Sequence, residues 1–377
     1  MLLFLIVIFL ISYGSLYPLD FVSIYDNSNA LKAFFKTWGT YTHQGDILAN
    51  LILFVPFGIL GMQAFSVRYA LWKSMLLVLV IGICLGVGLQ IAQIYLPSRD
   101  ANLSDAVLNF IGTIIGIAVS LSLNKIFFQG FKSNLNHFPV LLLYCWLAYR
   151  LIPFVPSLDW QEIKNSIKPL FILSTWELVR IYHDATAWMV VFYILSQMKQ
   201  THLSTWYFSF VILLCFIFEI IIVNNVVSLS NAVGALLALV SWWAVFCYLK
   251  NRAVWLALML VIVIISSGLS PYKLSTTIQD FKFIPFYGFL GGSMFVNTAS
   301  LLEKIFLYGS LIWLFQQAGI RLLLAIMITA SLTFMVELAQ LVFVGHVAEI
   351  TDPVLVILIG FSLGGIVNAS AKRGGNK

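Results

Sequence analysis

The sequence predicts an all-α polytopic integral membrane protein of about twelve transmembrane helices in three four-helix repeats. Three observations carry that expectation. Hydrophobic residues make up 61% of the 377-residue chain and charged ones only 10%, whereas a soluble domain carries about a quarter charged residues. Apolar runs near the ~20 residues needed to cross a bilayer follow one another along the length. One pattern also recurs. A Leu-x-Pro turn closes an apolar run at Leu16-Tyr17-Pro18, Leu151-Ile152-Pro153 and Leu269-Ser270-Pro271, and a polar residue falls inside the third run of each unit, at Gln90, Glu219 and Glu337. The separation is 72 residues from Pro18 to Gln90, 66 from Pro153 to Glu219 and 66 from Pro271 to Glu337. So long a period describes repeated helix bundles, not solenoid units.

The first repeat, 1–130, holds runs at roughly 1–19, 46–65, 73–96 and 104–124. The first begins at Met1 without a basic stretch or a cleavage-type sequence, so it is expected to be retained as a span. The second repeat, 131–250, holds runs at roughly 138–155, 184–200, 204–226 and 231–249, and the third, 251–377, at roughly 253–270, 299–318, 321–344 and 353–370. The fourth run of each repeat opens on a helix-start signal: Leu103-Ser104-Asp105, Leu229-Ser230-Asn231 and Ile350-Thr351-Asp352. Residues 129–137, with Gly130, Ser133 and two Asn, read as the main linker. The long first loop of each repeat keeps aromatic residues, such as Phe34-Phe35 and Trp160, and is expected to lie in the membrane interface or dip inward.

Charge sets orientation. With the N-terminus cytoplasmic, the inner loops and the C-terminal tail hold eleven Lys and Arg, from Arg68 to Lys377, and no acid. Lys/Arg bias in short loops sets topology, so both termini are expected in the cytoplasm of a bacterial plasma membrane. The net charge of +6 is thereby a topology signal, and no basic aromatic patch suggests nucleic acid. Cys84, Cys145, Cys215 and Cys247 all lie in apolar runs and form no CxxC pair; they are expected to be packing residues.

Polar residues that could carry chemistry concentrate in repeat one. Asp46-x3-Asn50 opens its second run, ahead of Phe54-x-Pro56-x-Gly58; Gln90-x2-Gln93 closes the third; then come Arg99, Asp105-x3-Asn109, Gly112 and Gly116. Spacings of three and four put each pair on one helix face. Both Asp-x3-Asn pairs fall at outer ends of runs, so Asp46, Asn50, Gln90, Gln93, Arg99, Asp105 and Asn109 are expected to line one outward-facing polar pocket. Arg99 offers fork geometry for a phosphate or carboxylate. Glu219 and Glu337 sit late in spans, where a carboxylate is costly unless protonated, paired or wetted. Lys304 is expected to pair with Glu303 or Glu337.

This pattern over about 40–120 resembles the VanZ-like family of multispanning bacterial membrane proteins. A weaker echo, Glu337-x2-Gln340 with Asp352, Gly360 and Gly364, covers 298–370, and the middle repeat retains Asp184, Glu219, Asn231 and Gly234. The family pattern usually has Glu where Gln90 stands. The resemblance implies an envelope context, linked by the family name to teicoplanin-type glycopeptide resistance, with no known reaction attached.

Each residue also has a plainer reading. Asp46, Asp105 and Asp352 open helices, where a carboxylate caps backbone N–H groups and meets the positive dipole end. Arg99 could form a rim salt bridge of little worth. His43, His183 and His346 read as polar loop residues, since no HxxxH or HExxH spacing calls for a metal. Gly82, Gly86 and Gly88 read as sites of close helix approach. No catalytic signature appears, so catalytic residues are unassigned and no cofactor or metal is called for. The leading expectation is an envelope protein binding a lipid-linked, polyprenyl-linked or anionic lipid ligand, with other envelope proteins as further partners. The alternatives are an intramembrane enzyme using Asp46 or Asp105 as base on polyprenyl-phosphate-type lipids, and a proton-coupled transporter relaying through Glu219 and Glu337.

Overall fold

The computed structural model describes residues 1–22, 32, 34–37, 44–123, 137–157, 159–172, 177–198, 205–276, 278–290 and 294–374. Among these residues the regular structure is helical, with three isolated β-bridges between loop and helix-end residues. The chain divides into two compact units, Met1–Leu135 and Asn136–Lys377.

Unit one consists of α1 (Leu2–Leu16), α2 (Gln44–Phe65), α3 (Leu71–Gln93) and α4 (Leu103–Leu123). Its core is built from Phe4, Ile11, Phe54, Phe57, Val78, Leu89 and Ile117, with the Phe4 and Phe57 rings 5.0 Å apart. The tightest packing is between α2 and α4, and glycine makes it possible. A Cβ on Gly58 would lie 2.9 Å from Gly116 Cα and against the Thr113 carbonyl oxygen; one on Gly112 would meet the Leu51 carbonyl oxygen. Small residues allow backbones to approach where apolar side chains alone gain nothing over lipid. Between α3 and α4, Gly82 faces Thr113 and Gly86 faces Asn109 in the same manner, whereas Gly88 has nothing within 4 Å, against the expectation of close approach there.

Unit two contains α5 (His137–Leu151), α6 (Leu178–Met198), α7 (Thr205–Ile221), α8 (Leu229–Ser241, continued by a π turn at Trp242–Phe246), α9 (Arg252–Leu269), α10 (Met294–Gln317), α11 (Leu322–Gln340) and α12 (Thr351–Gly374). A short helix, Trp160–Ile167, lies between α5 and α6 and packs on α7. The middle of α6 is the core: Ala187 through Ile194 is buried, with Trp188 4.7 Å from Trp146 and Phe192 4.6 Å from Phe208.

Among the described residues, seven helices are long and apolar enough to cross a membrane: α3, α4, α6, α8 with its π turn, α9, α10 and α11. Five more, in α1, α2, α5, α7 and α12, are apolar over 10–17 residues. The membrane character is therefore established for both units.

Three helix ends share one elbow. After α1, α5 and α9 the N–H of Leu19, Phe154 and Tyr272 returns to the carbonyl of Leu16, Leu151 and Leu269, at 2.8, 2.7 and 2.9 Å. Those three residues have φ of 68°, 61° and 59°, each directly after a cis-proline. The N–H of Val22, Ser157 and Ser275 then bonds to the carbonyl of Tyr95, Ile221 and Val342, at 2.9, 2.8 and 2.8 Å. Finally, a side-chain amide donates to the carbonyl three residues before each proline: Gln93 to Ser15, Asn225 to Arg150 and Gln340 to Gly268, all at 2.8 Å. The last carbonyls of a helix have no partner within it, and these amides supply one.

Candidate functional site

Helix α4 starts at the predicted signal, but its cap is Asn102: the Ser104 N–H donates to Asn102 Oδ1 at 2.9 Å. At α8 the cap is Ser228, which forms a capping box with Asn231. In the first turn of α12, Asp352 is held from α10: Lys304 Nζ donates to its Oδ1 at 2.5 Å and Tyr308 OH donates to its Oδ2 at 2.5 Å. The expected pairing of Lys304 with Glu303 or Glu337 is thus corrected. Glu303 is adjacent in sequence and Glu337 lies on α11, while the partner arrives from the start of α12.

Of the candidate residues of unit one, Gln90, Gln93 and Arg99 make side-chain hydrogen bonds around the end of α3 and the loop that follows it. Gln90 is 3% exposed and its Oε1 accepts the Asn102 N–H at 3.0 Å, which pins the α3–α4 loop to α3. Gln93 and Arg99 turn to α1. Besides the Gln93 bond to Ser15, Arg99 Nε donates to the Tyr17 carbonyl at 2.9 Å and Nη2 to the Gly14 carbonyl at 3.3 Å. Two of the five guanidinium N–H groups therefore close the C-terminus of α1. Asn109 is 3% exposed, and its Oδ1 is buried with no hydrogen bond. Asp105 precedes it by one turn and is half-buried. Phe34 is 3% exposed and Thr37 Oγ1 accepts the Leu103 N–H at 3.0 Å, so this part of the first loop is bonded to the start of α4. Asn50 is half-buried on α2. Asp46 belongs to the first turn of α2, but its side chain lies outside the described part of the structure, as does residue His43.

The intramembrane acids of unit two are held by partners. Glu219 is paired with Arg150 of α5, and both side chains are under 10% exposed. The guanidinium carbon lies 5.3 Å from the Trp146 ring and 5.3 Å from the Trp188 ring, a desolvated cation–π setting. Glu337 Oε2 accepts the Glu349 N–H at 2.8 Å. His183 is not a loop residue: it lies in α6, with Nδ1 3.5 Å from Asp184 Oδ1 and Nε2 3.2 Å from Glu303 Oε1. Asn231 Nδ2 donates to Asp184 Oδ2 at 2.7 Å, so two of the polar residues retained by the middle repeat are in direct contact. Arg150 and Tyr308 were missed in the sequence. The available signal was a lone arginine inside an apolar run, which requires a carboxylate nearby.

The VanZ/LLP1 family model matches residues 1–128, nearly the whole of unit one. Residues 1–128 are accordingly a VanZ-like domain. No curated protein and no solved structure matches the chain.

Proposed function

We propose that this protein is a VanZ-like integral membrane protein of the bacterial cell envelope, and that unit one binds a lipid-linked or anionic envelope ligand. The pocket is formed by Asp46, Asn50, Gln90, Gln93, Arg99, Asp105 and Asn109 at the outer ends of α2, α3 and α4. The observation that carries the reading is Asn109: a buried acceptor left without a hydrogen bond costs about 1–3 kcal/mol, and its Oδ1 is such an acceptor. Such a group is retained where something else supplies the donor. Arg99 keeps three further N–H groups for an anionic part of the ligand.

In this reading the molecule sits in the plasma membrane with both termini cytoplasmic, as twelve spans in three related four-helix sets. The recurring elbows, and the Gln90–Asn102 and Glu337–Glu349 bonds that each span twelve residues, support the three-fold relation. The second and third sets act as scaffold, with Glu219 paired to Arg150 and Asp352 to Lys304. The first of these pairs weighs against a proton relay through Glu219, whose charge is held by Arg150. An envelope role connects the protein to glycopeptide susceptibility or surface polysaccharide.

The test is to replace Arg99 and Asn109 singly by Ala and by Leu. Loss of lipid-ligand binding and altered glycopeptide susceptibility, with membrane insertion intact, would support the pocket. Unchanged binding and susceptibility in both inserted variants would reduce it to a structural feature.

A further inference from the structure

One end of unit two collects positive charge around a cavity. In sequence, residues 199–204, 247–252 and 318–321, which join α6 to α7, α8 to α9 and α10 to α11, hold Lys199, Lys250, Arg252 and Arg321 and no Asp or Glu. A cavity of about 390 Å³ lies where the end of α6, the start of α9 and the end of α10 meet, with Tyr193, Gln197, Lys250, Arg252, Val254 and Gln317 in its wall. None of the described residues that line it is acidic. The joint that carries the cations is braced from within. Helix α8 runs into the π turn Trp242–Phe246, and Arg252 folds back over the residues that follow it. Its Nε donates to the Leu249 carbonyl at 3.2 Å and its Nη2 to the Cys247 carbonyl, which leaves three guanidinium N–H groups. Among the described residues neither Lys250 nor Arg252 pairs with a carboxylate. Asn251 stands at the N-terminus of α9 with no side-chain hydrogen bond, so it does not close the first-turn N–H groups.

The geometry points to a phosphate site in this cavity, filled by the headgroup of an anionic glycerophospholipid. Lys250 and Arg252 supply the charge, and the Tyr193 hydroxyl and the Gln197 and Gln317 amides supply neutral donors; phosphate oxygens accept from all of them. The lipid is favoured by what adjoins the cavity. Val254 lines it, and Val254, Leu258 and Ile262 are exposed at intervals of four, an apolar stripe down one face of α9 for an acyl chain. Trp206, Trp243, Tyr248 and Trp255, all within a few residues of these joints, are exposed as well, as aromatic residues are at headgroup level. Basic pockets between spanning helices hold anionic headgroups by this combination. Inorganic phosphate offers the same oxygens without the chain. The site is independent of the pocket in unit one.

The experiment titrates the purified full chain in detergent with phosphatidylglycerol, phosphatidylcholine and, in a separate arm, inorganic phosphate, and reads bound lipid by native mass spectrometry. Phosphatidylglycerol is expected to bind about five-fold or more tightly than phosphatidylcholine, and Lys250→Gln to weaken it about five-fold, the factor for one cation at an anionic headgroup. Gln317→Glu sets a carboxylate in the cavity and is expected to weaken it at least as much. Lys250 and Gln317 are both exposed, so both variants are expected to melt with the wild type; should one not, the other decides. Lys273→Gln, at the opposite end of α9, is the control and is expected to change nothing. Inorganic phosphate binding as tightly as phosphatidylglycerol, and weakened by the same variants, would support the phosphate site and make its source soluble. Equal affinity for the two lipids, wild-type affinity in both cavity variants, an equal loss in Lys273→Gln, or no binding of any probe would overturn the site. None of these results bears on the pocket in unit one, which is tested at Arg99 and Asn109.

Discussion

Arg150 near the end of α5 and Glu219 near the end of α7 form an ion pair buried beneath two tryptophans. An acid late in a span is costly unless paired, and Arg150 is the partner of Glu219. Removing one member of a buried pair leaves an uncompensated charge and costs about 3–5 kcal/mol, whereas replacing both by apolar residues of similar volume is often neutral. Arg150→Met and Glu219→Met alone are therefore expected to lower stability by about 3–5 kcal/mol, and the double variant to regain most of it. Reversible unfolding in mixed micelles would measure this; additive losses would refute the coupling.

Lys304 and Asp352 provide a graded comparison. The Lys304 side chain is 27% exposed, so solvent screens the pair more than it does Arg150 and Glu219. Lys304→Gln is expected to cost about 2 kcal/mol, and Tyr308→Phe, which removes one bond to the same carboxylate, about 1.5 kcal/mol. Should Lys304→Gln destabilise more than Glu219→Met under identical conditions, the order assigned to the two pairs is wrong.

Two glycines separate packing from propensity. At Gly112 a Cβ would meet the Leu51 carbonyl oxygen, and at Gly88 it would meet nothing within 4 Å. Gly112→Ala is expected to force α2 and α4 apart at a cost of about 1–3 kcal/mol, with reduced yield of folded protein. Gly88→Ala is expected to be neutral or to stabilise by up to about 1 kcal/mol through helix propensity. Equal melting temperatures for the two variants would mean that the α2–α4 contact does not hold unit one together.

What could be read from the chain alone follows the range of each signal. Helix starts were legible because caps are local: Leu103, Leu229 and Thr351 each begin a helix where the signal predicted. The elbows after Pro18, Pro153 and Pro271 were visible as Leu-x-Pro. The bonds that fasten them, such as Gln93 to Ser15 across 78 residues, were not. The same limit explains the misassigned partner of Lys304 and the reading of His183 as a loop residue, because Asp352 and Glu303 reach them from other helices. Among the candidate residues, Gln90 and Asn109 fall on buried faces of α3 and α4. The use of Arg99 to close α1 could not be read from the chain, because a guanidinium bonds to carbonyls as readily as to phosphate.

Orientation can be tested on unit two, where Lys250 lies between α8 and α9, Arg252 opens α9 and the short helix before α6 carries Asn165. Positive charge is retained on the cytoplasmic side when it lies in short loops. With the four native cysteines replaced, a cysteine introduced at Asn251 is expected to react with a membrane-impermeant thiol reagent only after the membrane is opened. One introduced at Asn165 is expected to react in intact cells. A bilayer crossed by α6, α7 and α8 in turn puts these two positions on opposite faces. Labelling of both from outside would mean that α7, apolar over fewer than 18 residues, does not cross, and that the number of spans is smaller than twelve.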